Sequence, residues 1–271
     1  VRMLLPYFER AEAIHSSDGL STIVRASRVA QLTTAPTPAP SSSNDSSNGH
    51  AAVELSSATI CVRGHSLTWH AHPSLFAGGA VDVMAAFFMR TLPTPPAHSR
   101  ILDYCAGSGM IAAAMRAATP SCKLHLTDAD PLAVRAAALN LEGAAVTVSD
   151  GWAGLRRWRT AQAKAGASSS SASSSAPLFD WIVSNPPVHA DGMDDLTVLL
   201  DLIDGAHEWL TPRGELWIVA QVTVPVGGLL AANGGFASIR MYTDGRFTTW
   251  RAAACAPTEA MSKEVEKALR E

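Results

Sequence analysis

The residues best suited to chemistry lie in one short stretch, Ser184-Asn-Pro-Pro-Val-His189. It follows a strand-like run over residues 179–183 and precedes helical apolar spacing, so it should cap the carboxyl end of a strand. In an open α/β sheet that is where ligands bind. Two adjacent prolines remove two backbone donors and hold φ near about −65°, leaving a stiff turn whose free polar groups are acceptors. Those acceptors are the Asn185 side-chain oxygen and the Pro186 carbonyl, a pair suited to holding an amine. Taken alone, the same tripeptide also reads as an ordinary loop.

A second group of residues precedes it. Gly107-Ser-Gly109 follows a strand-like run at 100–104 and opens a helical stretch at 110–118. Glycines let backbone approach a ligand, and a helix amino terminus favours a carboxylate or phosphate. With Ala112 the spacing also matches the G-x-G-x-x-A dinucleotide fingerprint, so a nicotinamide cofactor and a dehydrogenase are considered. Asp103 argues against that reading, because its charge would face a pyrophosphate unfavourably and would suit an ammonium group. Asp128 ends the next strand, about twenty residues on, where an acid accepts from ribose hydroxyls. Asp130 stands before Pro131, the arrangement of a helix N-cap with proline in the first turn. Asp150, in Ser-Asp-Gly-Trp, ends a third strand and can accept from an adenine amino group or cap the helix after it.

The elements that must position these residues alternate. Strands are expected at 100–104, 124–127, 145–148, 179–183 and 215–222, with helices at 110–118, 131–141, 152–164 and from Met193 to about Leu210, the last broken by Thr211-Pro-Arg-Gly214. Strands at 236–242 and 247–252 are joined through Thr243-Asp-Gly245, a hairpin signal. Such alternation demands a mostly parallel, doubly wound sheet with helices on both faces, closed by an antiparallel edge. Upstream, 58–63 and 67–76 read as β-runs, followed by an apolar helix at 81–92. Residues 1–35 carry helix-like apolar spacing (Leu4, Leu5, Phe8, Ile14) and a short apolar stretch at 23–32.

Composition bounds the rest. A chain of 271 residues with 47% hydrophobic content can bury a real core, as one large domain or as a domain with an appendage. A net charge of −3 leaves any nucleic-acid attraction to a local patch. The four cysteines, Cys61, Cys105, Cys122 and Cys255, are far apart and form no C-x-x-C pair, so neither a zinc site nor a disulfide framework is indicated and a reducing compartment is expected. No run is suited to spanning a bilayer, and the opening Val-Arg-Met-Leu-Leu-Pro lacks signal-peptide features. The absence of an initiator Met suggests a fragment or a processed chain. A Pro/Ser/Asn/Thr-rich linker spans 34–49 and a Ser-rich insertion 166–177. The expected organisation is an extension over 1–50, a catalytic domain over 51–257 and a helical tail over 258–271.

Asp103-Tyr-Cys-Ala-Gly-Ser-Gly109, Asp128, Asp150 and Asn185-Pro-Pro187, in order on successive strand ends, resemble a class I S-adenosylmethionine-dependent methyltransferase with the Asn-Pro-Pro motif of amino-group methylators. More narrowly, Phe179-Asp-Trp-Ile-Val-Ser-Asn-Pro-Pro-Val-His189, Arg213-Gly-Glu-Leu-Trp-Ile-Val-Ala220, Gly245-Arg-Phe247 and Trp250-Arg251 resemble the ribosomal RNA guanine-N2 methyltransferases of the small subunit methyltransferase C type. The resemblance covers residues 55–255, including the helix begun at Asp82. It implies a Rossmann-like fold with a seven-stranded, mostly parallel sheet and an antiparallel C-terminal hairpin. It also implies S-adenosyl-L-methionine as cofactor, held by Asp103, Ala106, Gly107, Gly109, Asp128, Ala129, Asp150, Gly151 and Asn185. Asn185, Pro186 and Pro187 would be catalytic, Val188 and His189 would meet the substrate, no metal is called for, and the partner would be RNA, as ribosomal RNA or a ribosomal subunit. The setting would be the cytoplasm or an organelle.

The chain departs from this pattern in three places. Cys105 stands where the family's loop has its first glycine, and Val188 where an aromatic residue follows the prolines. Only residues 1–50 stand where the family carries a second, cofactor-free domain. The chemistry implied is methylation of an exocyclic amine; a protein glutamine amide or DNA adenine would suit the same turn, and a non-catalytic docking module with this fold is the reading of another class.

Overall fold

The computed structural model describes residues 10–15, 22–27, 54–166, 178–190 and 193–255. The linker, the Ser-rich insertion beyond Gly166, the expected helical tail, and Leu4, Leu5 and Phe8 lie outside the described residues. The chain divides into two compact units, Val1–Val81 and Asp82–Glu271.

In the first unit, β1 (Arg10–His15) and β2 (Thr22–Ser27) pair antiparallel, with Ile14 opposite Ile23. Ile14 therefore sits in a strand, which corrects the helical expectation for it; the β-branched run Thr22-Ile-Val24 across from it suits a pleated surface better than a helix. β3 (Ser56–Val62) and β4 (His65–Ala71) form a second hairpin. Its turn, Arg63-Gly64, has φ of 49° and 83°, the positive pair that a two-residue hairpin needs. β4 ends at Ala71, short of the run expected to reach Phe76, which instead begins a short 3₁₀ turn, Phe76–Gly79. The Trp69 indole donates to the Gly79 carbonyl at 3.0 Å.

The second unit holds the regular alternation. It begins with α1 (Val83–Thr91), β5 (Arg100–Tyr104), α2 (Met110–Ala118), β6 (Lys123–Asp128), α3 (Pro131–Asn140), β7 (Ala145–Val148) and α4 (Ala153–Gly166). There follow β8 (Phe179–Ser184), the two-residue strands β9 (His189–Ala190) and β10 (Met193–Asp194), α5 (Thr197–Ala206) and β11 (Leu210–Gln221). α6 (Val226–Asn233), β12 (Phe236–Thr243) and β13 (Phe247–Ala254) complete it. The seven-stranded sheet runs β12-β13-β11-β8-β5-β6-β7. β11, β8, β5, β6 and β7 are parallel, and β13 and β12 add the antiparallel edge.

The main departures from expectation lie around α5, β11 and α6. Met193 and Leu196 lie ahead of α5 rather than in it. Thr211-Pro-Arg-Gly214 falls inside β11, where the pairing with β8 shifts register between Leu210 and Glu215, a bulge that absorbs the proline's missing donor. α6 was not foreseen; its Gly227-Gly228 start hid a helix, and Gly227 is needed because a Cβ there would lie 2.5 Å from the Trp250 ring. In the core, fully buried Trp209 stacks on Trp152 at 5.7 Å and Phe179 at 6.4 Å, joining α4, α5 and β8.

Candidate active site

Parallel register brings the predicted residues to one edge. Asp103 pairs with Val183 and Tyr104 with Ser184, so the end of β5 and the turn after β8 lie side by side. Ser184 Oγ fastens the two ends by donating to the Tyr104 carbonyl at 2.6 Å. On the other flank Tyr104 pairs with Thr127, one residue before Asp128.

The loop after β5 is tightly wound. Cys105, Gly107 and Gly109 have φ of 60°, 55° and 92°. Cys105 thus occupies the left-handed region that ordinarily favours glycine, and it does so with a side chain present. The Ala106 amide donates to the Thr127 carbonyl at 3.0 Å, and the Asn140 side chain donates to the Ser108 carbonyl at 3.0 Å. The two loop glycines serve different ends. A Cβ on Gly109 would lie 2.8 Å from Leu141 Cδ1 and 3.0 Å from Leu126 Cδ2, so this glycine is required by packing. A Cβ on Gly107 would meet nothing within 4 Å, so that glycine leaves an open approach to backbone.

Asp103 is 0% exposed; its Oδ2 accepts the Ala112 amide at 3.1 Å and its Oδ1 has no partner. Burial pushes its carboxyl up to about 8, with the Ala112 amide pulling down and the nearby Asp128 pushing up. Asp128 takes the Gly107 amide at 2.8 Å and the Asp130 amide at 3.0 Å on its two oxygens, and its carboxyl too is raised, chiefly by burial. Asp130 caps α3 through the Leu132 amide at 2.8 Å, as the sequence suggests. Ala129 is exposed between them.

The turn after β7 is held from behind. Gly151 has φ of 56°, and a Cβ on it would lie 2.6 Å from Asp201 Oδ2. That same oxygen accepts the Tyr104 hydroxyl at 2.8 Å, and the Asp201 carbonyl accepts the Trp152 indole at 2.8 Å. The capping alternative for Asp150 is corrected here: the Gly154 amide donates to Ser149 Oγ at 2.8 Å, so Ser149 serves the helix start and Asp150 stays exposed. Tyr104, Ser149 and Asp201 are supports the sequence reading missed. Trp152 is buried, Trp158 meets His125 edge-on at 4.4 Å and Arg159 lies over Trp209 at 3.4 Å, so Trp152 and Trp158 serve packing around α4. Trp181 is buried against Trp217.

At the Asn-Pro-Pro turn, Asn185 is half-buried, Pro186 buried and Pro187 exposed. Asn185 Oδ1 is buried with no hydrogen-bond partner, while Nδ2 faces Asp82 Oδ2 at 3.5 Å. Val188 is 5% exposed and packs into the core with Tyr104, Leu199 and Val226, and its carbonyl accepts the Asp195 amide at 3.0 Å. His189 begins β9 opposite Asp194; its side chain lies outside what is described. Among the described residues no cluster of histidine, cysteine or acid could hold a metal, and no helix is long and apolar enough to cross a membrane.

The strand ends of one doubly wound sheet thus carry an acid, a glycine loop, a second acid and an Asn-Pro-Pro turn side by side. Residues 66–247 match the methyltransferase small domain model, and the chain belongs to that family. Ribosomal RNA small subunit methyltransferase C of Salmonella choleraesuis (strain SC-B67) is 32% identical over 191 residues, 68% of this chain and 49% of the relative. The protein of the same name from Salmonella paratyphi B aligns with the same identity and coverage, 32%, 68% and 49%. The chain therefore spans about half the length of the curated relatives it matches. Among solved structures, the T. thermophilus 16S rRNA N2 methyltransferase RsmC, in complex with AdoMet and guanosine, superposes with a TM-score of 0.58 at 18% identity, over 92% of this chain and 59% of that one. That likeness is one of fold.

Proposed function

We propose that the chain transfers a methyl group from S-adenosyl-L-methionine to the N2 amine of a guanine in ribosomal RNA. The observation that carries this reading is the Asn185 amide oxygen, buried without a partner on a donor-poor turn beside the glycine loop. A buried acceptor left unpaired costs about 1–3 kcal/mol, so such an atom belongs where a ligand completes it. The names and activities of the similar methyltransferases support the choice of ribosomal RNA as substrate.

The residues present fit the cofactor. Asp103 Oδ1, buried and unpaired, is suited to an ammonium group; Gly107 leaves room for a close approach; Asp128 has oxygen lone pairs for ribose hydroxyls, and Asp150 is exposed beside Gly151 for an adenine amine. When bound, S-adenosylmethionine supplies an electrophilic methyl group on a sulfonium. The guanine amine is a poor nucleophile because its lone pair is delocalised into the ring. Asn185 Oδ1 and the Pro186 carbonyl accept its two hydrogens and turn the lone pair out of conjugation, so catalysis is positioning and electrostatics. No strong base is required, since the cationic product sheds its proton to solvent afterwards. The setting is wherever ribosomal RNA is made or assembled, in the cytoplasm or an organelle.

The test is nucleoside mass spectrometry after incubating the chain and labelled cofactor with ribosomal RNA, small subunits, DNA and a protein fraction. N2-methylguanosine in RNA is expected. Label on a glutamine amide or on DNA adenine instead would overturn the assignment.

A further inference from the structure

Asp82 stands just ahead of α1, where its Oδ2 caps the helix by accepting the amides of Met84 and Ala85, each at 3.1 Å. The same oxygen faces Asn185 Nδ2 across a sequence separation of 103 residues, at 3.5 Å. α1 is anchored below this point, by Thr91 Oγ1 against Thr249 Oγ1 at 2.6 Å and Phe87 against Phe247 at 5.9 Å, so the carboxylate is held on a packed element. A carboxylate only accepts hydrogen bonds, so it attracts the amide nitrogen and repels the amide oxygen. One end of the Asn185 side chain is therefore claimed, and the other end, Oδ1, is the buried atom without a partner.

We infer that Asp82 is a positioning residue for methyl transfer: it fixes which way the Asn185 amide faces, presenting the oxygen rather than the nitrogen to the substrate amine. This rests on the functional reading above. A flipped amide would place two donors against the amine's own hydrogens and remove one of the two acceptors that turn its lone pair. The 3.5 Å separation is long for a hydrogen bond, and such contacts tighten when substrate fills a site. Asp82 touches neither the methyl group nor the amine in this account; it acts through Asn185.

The test uses the full chain and two variants. Asp82→Ser keeps a competent N-cap, because a serine hydroxyl reaches the first-turn amides, but falls short of Asn185. Asp82→Asn keeps both the cap and a carbonyl oxygen for Asn185 Nδ2. The first readout needs no turnover: the Asn185 side-chain amide pair in a ¹⁵N spectrum, identified by its loss in Asn185→Ala. The pair is expected to move in Asp82→Ser and to stay near its wild-type position in Asp82→Asn. The second readout is kinetic. Asp82→Ser should lower kcat by about 10- to 100-fold, the scale of a misplaced reacting group, with cofactor affinity unchanged, and Asp82→Asn should recover most of the activity. An amide pair that does not move in Asp82→Ser, or a kcat that stays at the wild-type value, overturns the inference. So does a loss confined to cofactor affinity or thermal stability. A wild-type chain that transfers no methyl group overturns the functional reading and the positioning role with it, whereas a fully active wild type with an indifferent Asp82→Ser overturns the positioning role alone.

Discussion

Asp128 accepts the Gly107 amide at 2.8 Å, so the acid that ends the second parallel strand also pins the loop that follows the first. Its other oxygen takes the Asp130 amide at 3.0 Å. One side chain thus shapes the glycine loop while keeping lone pairs for a ligand. Asp128→Ala should lose both roles together. Hydrogen bonds to a charged group are worth about 1.5–3 kcal/mol, and that order of loss is expected in urea unfolding, alongside at least tenfold weaker cofactor binding by calorimetry. Asp128→Asn, which keeps one acceptor oxygen, should fall between. An alanine variant of unchanged stability would separate the acid from the loop.

Asp103 should make cofactor binding depend on pH. Burial holds its carboxyl at about 8, against an ordinary value of 3.8. Between these values the folded chain keeps a proton that the unfolded chain has lost, so this residue's contribution lowers stability as pH rises from about 4 to about 8 and is level above that. A cationic amine beside Oδ1 favours the ionised form. Binding at pH 7 should therefore release a proton, and affinity should climb as pH approaches 8. Calorimetry in buffers of different ionisation enthalpy measures the release. Asp103→Asn should abolish it and weaken binding; a wild type whose binding enthalpy ignores the buffer would contradict the assignment.

The two loop glycines should fail in different ways. In Gly109→Ala the new methyl group meets Leu141 and Leu126 at 3.0 Å or less at a φ of 92°, so stability falls first. In Gly107→Ala the methyl group enters open space, so stability should drop only by the left-handed penalty of about 1–2 kcal/mol, while cofactor affinity collapses. Thermal unfolding paired with calorimetry separates them. Equal affinity losses with equal stability losses would remove the case for Gly107 as the approach to ligand.

The sequence made the parallel half of the sheet legible because three of its strands, β5, β6 and β8, end at or next to a residue whose type names a task. Asp103, Asp128 and Asn185 close runs of apolar residues, and β5, α2 and β7 fall on their expected bounds. What was hidden depends on partners distant in the chain. Nothing local to Asp201 signals that it receives the Tyr104 hydroxyl and stands behind Gly151, and nothing near Ser149 distinguishes it from Asp150 as the helix cap. Val188 shows the same limit. Its place after the prolines suggests a surface for the target base, yet the folded chain turns it into the core, where its apolar side chain packs with Leu199 and Val226. Asp82 carried a readable signal, an acid before an apolar helical run, but only tertiary structure sets it opposite Asn185.

The most direct test of the account is the yield of N2-methylguanosine in ribosomal RNA from the wild-type chain and from Asn185→Ala, with cofactor affinity measured in parallel. The wild type should form the modified nucleoside. Asn185→Ala should still bind cofactor and, at saturating cofactor, transfer methyl groups at least about 100-fold more slowly, as expected when a preorganised acceptor is removed. An alanine variant that methylates guanine at the wild-type rate would contradict the account at its centre.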